Sequence, residues 1–490
     1  MSSSAEEAVP SAPPEPPRDS LRARVIRGSA IGVFGKLAEQ GLRLGGNLVV
    51  TRLLFPDAFG IMALVNSLVM GLEMLSDLGV RVSVISHPRG DERAFLDTAW
   101  TISVLRGAAI ALLAALFAWP FALAYDQPAL TTLIPVTALS GLLNGLSSTK
   151  LAVLNRHLRL GMITALGLGS QVVGLAAMIT CAWLTHSIWA LVVGSVVMTL
   201  TNMLSSHLFI PGPSNRPRWD REAARDILSF GKWIFASTLM MFLAMRLDVF
   251  LLGALVPMDQ LGVYTIAGVL SSLPTLVGGH IHSSVLLPAL AAANRRDRAT
   301  MEATYRRARG VLVPTGAFVC LSMALTAPAF FHFLYDERYR AAGWMAPLLM
   351  IGVWFFYLQE ASARAVQAMG EARVLVAANG IKLLVLGAGA VAGYQLAELP
   401  GFILGSALGS LGGQLTIERH LRQQGIGSST LDLVYSLGAI GTGALGLIAG
   451  RLLGEAFGVP PAAATLGVAV LILTPLGLVL ARRMLAELRR

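Results

Sequence analysis

Residues 52–85 read RLLFPDAFGIMALVNSLVMGLEMLSDLGVRVSVI. Pro56 and Asp57 mark a turn, and beyond Gly60 the run stays apolar to Ile85 with only Glu73, Asp77 and Arg81 as charges. At about 1.5 Å of rise per residue, a helix over 58–85 is long enough to cross a hydrocarbon core of about 30 Å. Working outward, fourteen such apolar stretches follow one another between residues 26 and 481. The 490 residues are 55% hydrophobic and 13% charged, whereas soluble domains carry about 25% charged residues. A soluble fold could not hide so much apolar surface. The expected class is all-α integral membrane, with about 14 transmembrane helices.

A formal charge of +10 raises the question of a nucleic-acid partner. The positions of the cations decide against one. If residue 1 is cytoplasmic, the outward segments hold only Arg338, Arg340 and Arg451, while Lys and Arg accumulate in the inward segments. That is the positive-inside asymmetry, and cations scattered over loops do not form one face that tracks phosphates. The expected topology is N-in and C-in. Residues 1–25, rich in Ser, Pro and Glu, are expected to be a disordered cytoplasmic tail. The stretch after Arg18, Arg22, Arg24 and Arg27 is too long and too interrupted by charge for a cleaved signal, so it is expected to remain as helix 1. Cys181 and Cys320 sit in apolar runs as small core residues.

The turn at 52–65 has a counterpart in GALVPMDQLGVYTIA at 253–267. Each joins an apolar helix through Pro and Asp to an apolar-Gly pair, with Phe59-Gly60 matching Leu261-Gly262 at an offset of 202. An even number of helices separates the copies, which predicts parallel repeats about an axis along the membrane normal and a central crevice between them. The chain is therefore divided into an N-lobe at 26–210 (helices 1–6), a linker at 211–226, a C-lobe at 227–420 (helices 7–12) and, at 421–490, two further helices with a cytoplasmic C-terminus. The linker PGPSNRPRWDREAARD is expected to be partly an interfacial helix anchored by Trp219.

A charge deep in a bilayer is costly and marks a functional candidate. Lys36, Glu39, Gln40 and Arg43 fall on one face of helix 1, and Glu73, Asp77 and Arg81 on one face of helix 2. Antiparallel helices would set Lys36 level with Asp77 and Glu39 level with Glu73, either as internal ion pairs or as the lining of the crevice. Helix 7 adds Arg246 and Asp248 on nearly opposite faces. The repeat offset places Arg246 within one residue of the counterpart of Arg43, one arginine per lobe. Since guanidinium groups bind phosphate oxygens bidentately, Lys36, Gln40, Arg43 and Arg246 are the candidate substrate-binding set. Glu39, Glu73, Asp77, Arg81 and Asp248 are the ion-coupling or ion-pair set. Glu360 with Arg364, and Lys382, are weaker candidates. His280 and His282, two apart on a helix, diverge and do not make a metal site. No phosphate loop, catalytic triad or cofactor motif is found, so no enzyme and no cofactor is expected.

The run at 52–85, LDTAWTISVLRG at 96–107, LNRHLRLG at 154–161, SIWALVVG at 187–194, and LSFGKWIFAS and RLDVFLLG in helix 7 resemble the Wzx-like oligosaccharide flippases. These form the polysaccharide transport family of the multidrug/oligosaccharidyl-lipid/polysaccharide superfamily. The resemblance covers roughly residues 25–420. Ser86 departs from it, where the family pattern has glutamine. It implies translocation of an undecaprenyl-pyrophosphate-linked oligosaccharide across the bacterial inner membrane, by alternating access, for exopolysaccharide, O-antigen or capsule assembly. It also implies contact with membrane lipids, coupling to protons or sodium, and work alongside a polysaccharide polymerase and export machinery. A multidrug exporter of the same superfamily and a peptidoglycan lipid-precursor flippase are the rival readings.

Overall fold

The computed structural model describes residues 18–77, 79–231, 234–427 and 429–488, and every element among them is helical. In chain order these are α1 (Arg18–Leu53), α2 (Pro56–Leu75), α3 (Val80–Ser86), α4 (Arg93–Ala124), α5 (Leu130–Leu146), α6 (Lys150–Arg156), α7 (Leu160–Thr185), α8 (Trp189–Leu208) and α9 (Arg221–Gly231). There follow α10 (Ile234–Leu255), α11 (Met258–Ser271), α12 (Leu273–Ile281), a π-helical segment (His282–Leu286), α13 (Leu287–Asn294), α14 (Arg298–Leu334), α15 (Ala342–Ala368), α16 (Ala372–Gln423), α17 (Ser429–Phe457) and α18 (Pro461–Leu488). Among the described residues, eleven helical runs are long and apolar enough to cross a membrane, or twelve if α5 and α6, bent by 60°, make one span. The protein is a multi-pass membrane protein.

Several expected boundaries move. The helix expected over 58–85 ends at Leu75. The Ser76 hydroxyl donates to the Leu72 carbonyl (2.6 Å), Gly79 turns left-handed at φ 66°, and its N–H donates to the Asp77 carboxylate (3.0 Å). Only glycine enters that region without strain. Arg81 therefore lies on α3, off the face of α2 that carries Glu73, and Asp77 lies in the turn between the two helices. The span expected over 260–288 is divided among α11, α12, the π segment and α13. Residues 1–17 lie outside the described residues, and α1 already begins at Arg18, within the expected tail.

The linker runs against α4 before it turns helical at Arg221. The backbone N–H groups of Arg216, Arg218 and Asp220 donate to Asp97, Thr101 and Thr98 on α4 at 3.0–3.1 Å. After it, α9 buries Ala223, Ala224 and Ile227 against Phe95 and Ala99 of α4 and Val80 and Val84 of α3. These three side chains are buried against protein, while Trp219 stays exposed.

α16 is 52 residues long, far more than one span needs. Ala397 (φ −149°, ψ 31°) and Glu398 (φ 48°, ψ −132°) break it, and the chain folds back on itself. A Cβ on Gly393 would lie 2.1 Å from the Gly401 carbonyl oxygen, and one on Gly405 1.9 Å from that of Gly389. The missing side chains let the two arms touch along their backbones.

In the first half α1 packs on α7, α7 on α8, α8 on α5 and α5 on α4. In the second, α10 packs on α16, α16 on α15, α15 on α11 and α14, while α17 and α18 lie against α14. α2 joins the halves, packing on α4 and α5 and also on α10 and α11. The main buried core gathers there, around Leu64, Val65, Leu133, Leu252, Leu261, Phe331 and Phe402. At the end that holds the α1–α2 turn, α2 and α11 cross with no side chain between them. A Cβ on Gly60 would meet the Met258 carbonyl oxygen at 1.9 Å, and one on Gly262 the Pro56 carbonyl oxygen at 1.8 Å. Positions 56 and 258 are related by the same offset of 202 as 60 and 262, so the contact is reciprocal. Nearby, the Tyr339 hydroxyl donates to the Leu54 carbonyl (3.0 Å), and Arg338 donates to the Thr51 and Arg52 carbonyls at 3.4 and 3.3 Å. These bonds satisfy the carbonyls left open at the end of α1.

Candidate translocation site

The polar stripe of α1 does not meet that of α2, because α1 packs on α7. Lys36 pairs with Glu39 on its own helix (2.8 Å), and the Glu39 carbonyl accepts from Gln171 of α7 (2.8 Å). Gln40 is half-buried, and Arg43 is exposed with no side-chain hydrogen bond to a described residue. Neither expected cross-helix pair, Lys36 with Asp77 or Glu39 with Glu73, is formed. Glu73 and Asp77 meet Arg106 of α4 instead. It approaches Asp77 at 3.8 Å, donates to the Glu73 carbonyl (2.7 Å) and donates to the Ser76 hydroxyl (3.1 Å). Arg106 was not singled out from the sequence, although a lone arginine in the 94–123 apolar run was a signal available there. Arg81 on α3 is exposed.

Across the seam, Arg246 of α10 is half-buried and donates from Nε to the thioether of Met70 on α2 (3.3 Å). Among the described residues it has no oxygen acceptor. Asp248 accepts from the Tyr264 hydroxyl of α11 (2.7 Å), on another side of the helix, as the two-residue spacing predicts.

The second half holds a further charged group on α15 and α16. Glu360 pairs with Arg364, which also donates to Gln367 (2.9 Å). Lys382 is 6% exposed, with its ammonium 4.2 Å from the centre of the Phe356 ring. It lies within electrostatic reach of Glu360 and Asp248. His282, in the π segment, is buried against Tyr357 with ring centres 4.7 Å apart, and neither of its nitrogens has a partner among the described residues. His280 is exposed, and no group of three metal-ligating side chains occurs among the described residues.

The most deeply buried charge was also missed. Arg309 of α14, fully buried, pairs with Asp432 of α17 and donates to the Ser362 hydroxyl (3.2 Å) and the Leu358 carbonyl (3.3 Å). Gln414 donates to the second Asp432 oxygen (2.9 Å). In sequence, Arg309 stands at the edge of a basic loop and reads as topological. The network fastens α17 to α14, α15 and α16.

The fold and this distribution of charge can be set beside known proteins. A family model described as "Polysaccharide biosynthesis protein" matches residues 49–342. The teichuronic acid biosynthesis protein TuaB of Bacillus subtilis (strain 168) is 21% identical over 328 residues, 66% of this chain and 63% of its own length. The chain thus spans less than two thirds of that relative. Among solved structures, the lipid II flippase MurJ in an inward closed conformation superposes with a TM-score of 0.69 at 12% identity, covering 94% of this chain and all of that one. An inward-facing multidrug resistance transporter of the MATE family gives 0.59 at 16% identity, covering 80% and 95%. The two solved structures are, by name, a flippase and a transporter, and at these identities the likeness is one of fold. With the family model matched over more than half of its length, the chain belongs to the polysaccharide biosynthesis protein family.

Proposed function

We propose that the protein carries an undecaprenyl-pyrophosphate-linked oligosaccharide from the cytoplasmic to the periplasmic leaflet of the bacterial inner membrane. It does so by alternating access between two six-helix lobes that meet at α2, α10 and α11. Arg246 carries this reading: a guanidinium at the seam, in an apolar span, whose hydrogen-bond partner is a thioether, is a cation waiting for an anion. Arg43, exposed on α1, is the matching arginine of the other lobe. In the closed complex the two are jaws on one pyrophosphate, with Lys36 and Gln40 beside them.

Fourteen spans, N-in and C-in, fit the helices. The twelve counted with α5 and α6 joined become thirteen when the α16 hairpin is two spans, and fourteen with the charged helix α1. The reciprocal contact of Gly60 and Gly262 supports lobes related by a two-fold axis, because such an axis brings each residue against the partner of its equivalent.

The test is surface polysaccharide measured against protein level in the membrane. Arg43→Ala with Arg246→Ala is expected to abolish polymer with protein still inserted, and Arg→Lys at either site to leave partial activity, since lysine keeps the charge but not the fork. Full polymer from the double variant would overturn the clamp. The MATE-like fold favours a second reading, export of cationic amphiphiles. Restored drug resistance in a pump-deficient strain would support it, although the Arg246 guanidinium at the seam argues against it.

A further inference from the structure

The linker and α9 carry a charged surface that the transport reading does not use. α9 sorts its ionic side chains by face. Glu222 and Asp226, one turn apart, reach Arg89 (2.8 Å) and His87 (3.5 Å) in the turn between α3 and α4. Asp220 caps the helix, its carboxylate accepting from the Glu222 and Ala223 N–H groups at 3.1 and 3.0 Å. The acids of the segment are thus engaged. Arg221 and Arg225, also one turn apart, stay exposed together with Arg216 and Arg218, and none of the four guanidinium groups bonds to a described residue. Like charges one turn apart repel, so the arrangement is destabilising until an anion joins it.

We propose that Arg216, Arg218, Arg221 and Arg225, with Trp219, bind the phosphate headgroup of an anionic phospholipid such as phosphatidylglycerol. The depth of the segment carries the argument. On α4 the exposed large apolar side chains begin at Leu105 and continue through Leu112, Leu116 and Trp119 to Leu123, along one face of the helix. That stripe rises about 27 Å at about 1.5 Å per residue, close to the hydrocarbon thickness of about 30 Å. Thr98 and Thr101 continue the same face beyond Leu105, and the linker is bound on them through the Asp220 and Arg218 N–H groups. It therefore covers the lipid-facing side of α4 about one turn, or roughly 6 Å, outside the hydrocarbon. That is the depth of the headgroups. On α8 the exposed apolar side chains likewise end at Leu208 and Phe209, just before the linker begins.

The chemistry of the patch suits this occupant. Guanidinium groups take phosphate oxygens bidentately, and an exposed indole is stable where its ring meets acyl chains and its N–H meets headgroups. Trp119, at the far end of the α4 stripe, marks the opposite boundary in the same way. Because three backbone N–H groups pin the linker to α4, the arginines are displayed from an ordered segment and little freedom is lost on binding. Four positive charges attract a headgroup of net negative charge and repel the ammonium of phosphatidylcholine. In the orientation proposed above the leaflet is the cytoplasmic one, and the inference does not depend on what the protein carries.

The experiment places the full-length protein in nanodiscs of phosphatidylcholine and phosphatidylglycerol in equal amounts and identifies the lipids that stay bound by native mass spectrometry. Wild type is expected to retain phosphatidylglycerol by about tenfold or more over phosphatidylcholine, since each arginine beside an anionic lipid surface adds about fivefold. A variant with Arg216→Gln, Arg218→Gln, Arg221→Gln and Arg225→Gln should lose the preference. The control, with Arg295→Gln, Arg296→Gln, Arg373→Gln and Arg419→Gln, removes four exposed arginines elsewhere in the chain and should keep it. A second measurement leaves the arginines in place. Tryptophan quenching by phosphatidylglycerol brominated near the head of its acyl chains should exceed that by equally brominated phosphatidylcholine, and Trp219→Phe should remove the excess. Equal loss in both quadruple variants, or an excess that survives Trp219→Phe, overturns the inference. Displacement of the lipid by millimolar inorganic phosphate would overturn it in favour of a soluble anion. A preference for undecaprenyl pyrophosphate over phosphatidylglycerol, abolished in the first variant, would overturn it in favour of the transported lipid.

Discussion

Asp297 caps α14. Its carboxylate accepts from the Thr300 hydroxyl and the Thr300 N–H, both at 2.7 Å, and these bonds hold it below the usual carboxylate range. A group depressed in the folded state stabilises above its unfolded value, about 3.9 for aspartate, and that contribution is lost as the pH falls through the lower folded value. Asp297→Ala should therefore lower the melting temperature in detergent at pH 7 and approach wild type at pH 3. A gap that stays constant with pH would refute the cap. Arg309 and Asp432 form the opposite kind of pair, buried on both sides. Removing one partner leaves the other charge stranded, at a cost of about 3–5 kcal/mol. Arg309→Ala is expected to deplete protein from the membrane, and Arg309→Met with Asp432→Leu to restore most of it. If the double variant is as depleted as the single, the ion pair is not what the single variant loses. At this scale the sequence discloses that charges are present but not whom they meet. Glu73, Asp77 and Arg246 stand out because each interrupts an apolar run. Arg106 and Asp432 find their partners on helices far away in sequence, and spacing along one helix cannot reveal that.

Elements are legible in proportion to how locally they are decided. Apolar length is a property of one stretch, so the spans can be read directly. The break between α2 and α3 is signalled only by Ser76, Asp77 and Gly79, within a run whose hydropathy continues across it, and period alone carries the helix through to Ile85. α16 is the reverse case, because the spacing of Gly389, Gly393, Gly401 and Gly405 around Glu398 and Pro400 is visible in the sequence as two spans and a tight turn. Gly401→Leu should fail to accumulate in the membrane, since its side chain would enter the Gly393 backbone. Gly268→Ala is the control, with nothing within 4 Å of its added methyl and about 1 kcal/mol of helix propensity in its favour. Equal loss in both would show that mutation of a span glycine, rather than contact between the arms, is the cause.

At the scale of the whole molecule, the orientation proposed above is checked by reporter fusions. Fusions at residues 126 and 336 should read periplasmic, and fusions at residues 216 and 296 cytoplasmic. Opposite readings would overturn either the span count or the direction of transport. The resemblance between the two turns can be read from sequence. That those turns touch cannot, because similarity carries no distance. Their crossing has a consequence for ancestry. A contact in which Gly60 meets Met258 and Gly262 meets Pro56 is the interface of a two-fold dimer, in which one residue would meet its counterpart on a second copy. An ancestor of half the length could have assembled through it before duplication joined the copies, and a single base change in that gene would then have struck both sides of the interface at once. The residues around the glycines differ between the two copies, Phe59 against Leu261 and Ala58 against Gln260, while the two positions that admit no side chain are both glycine.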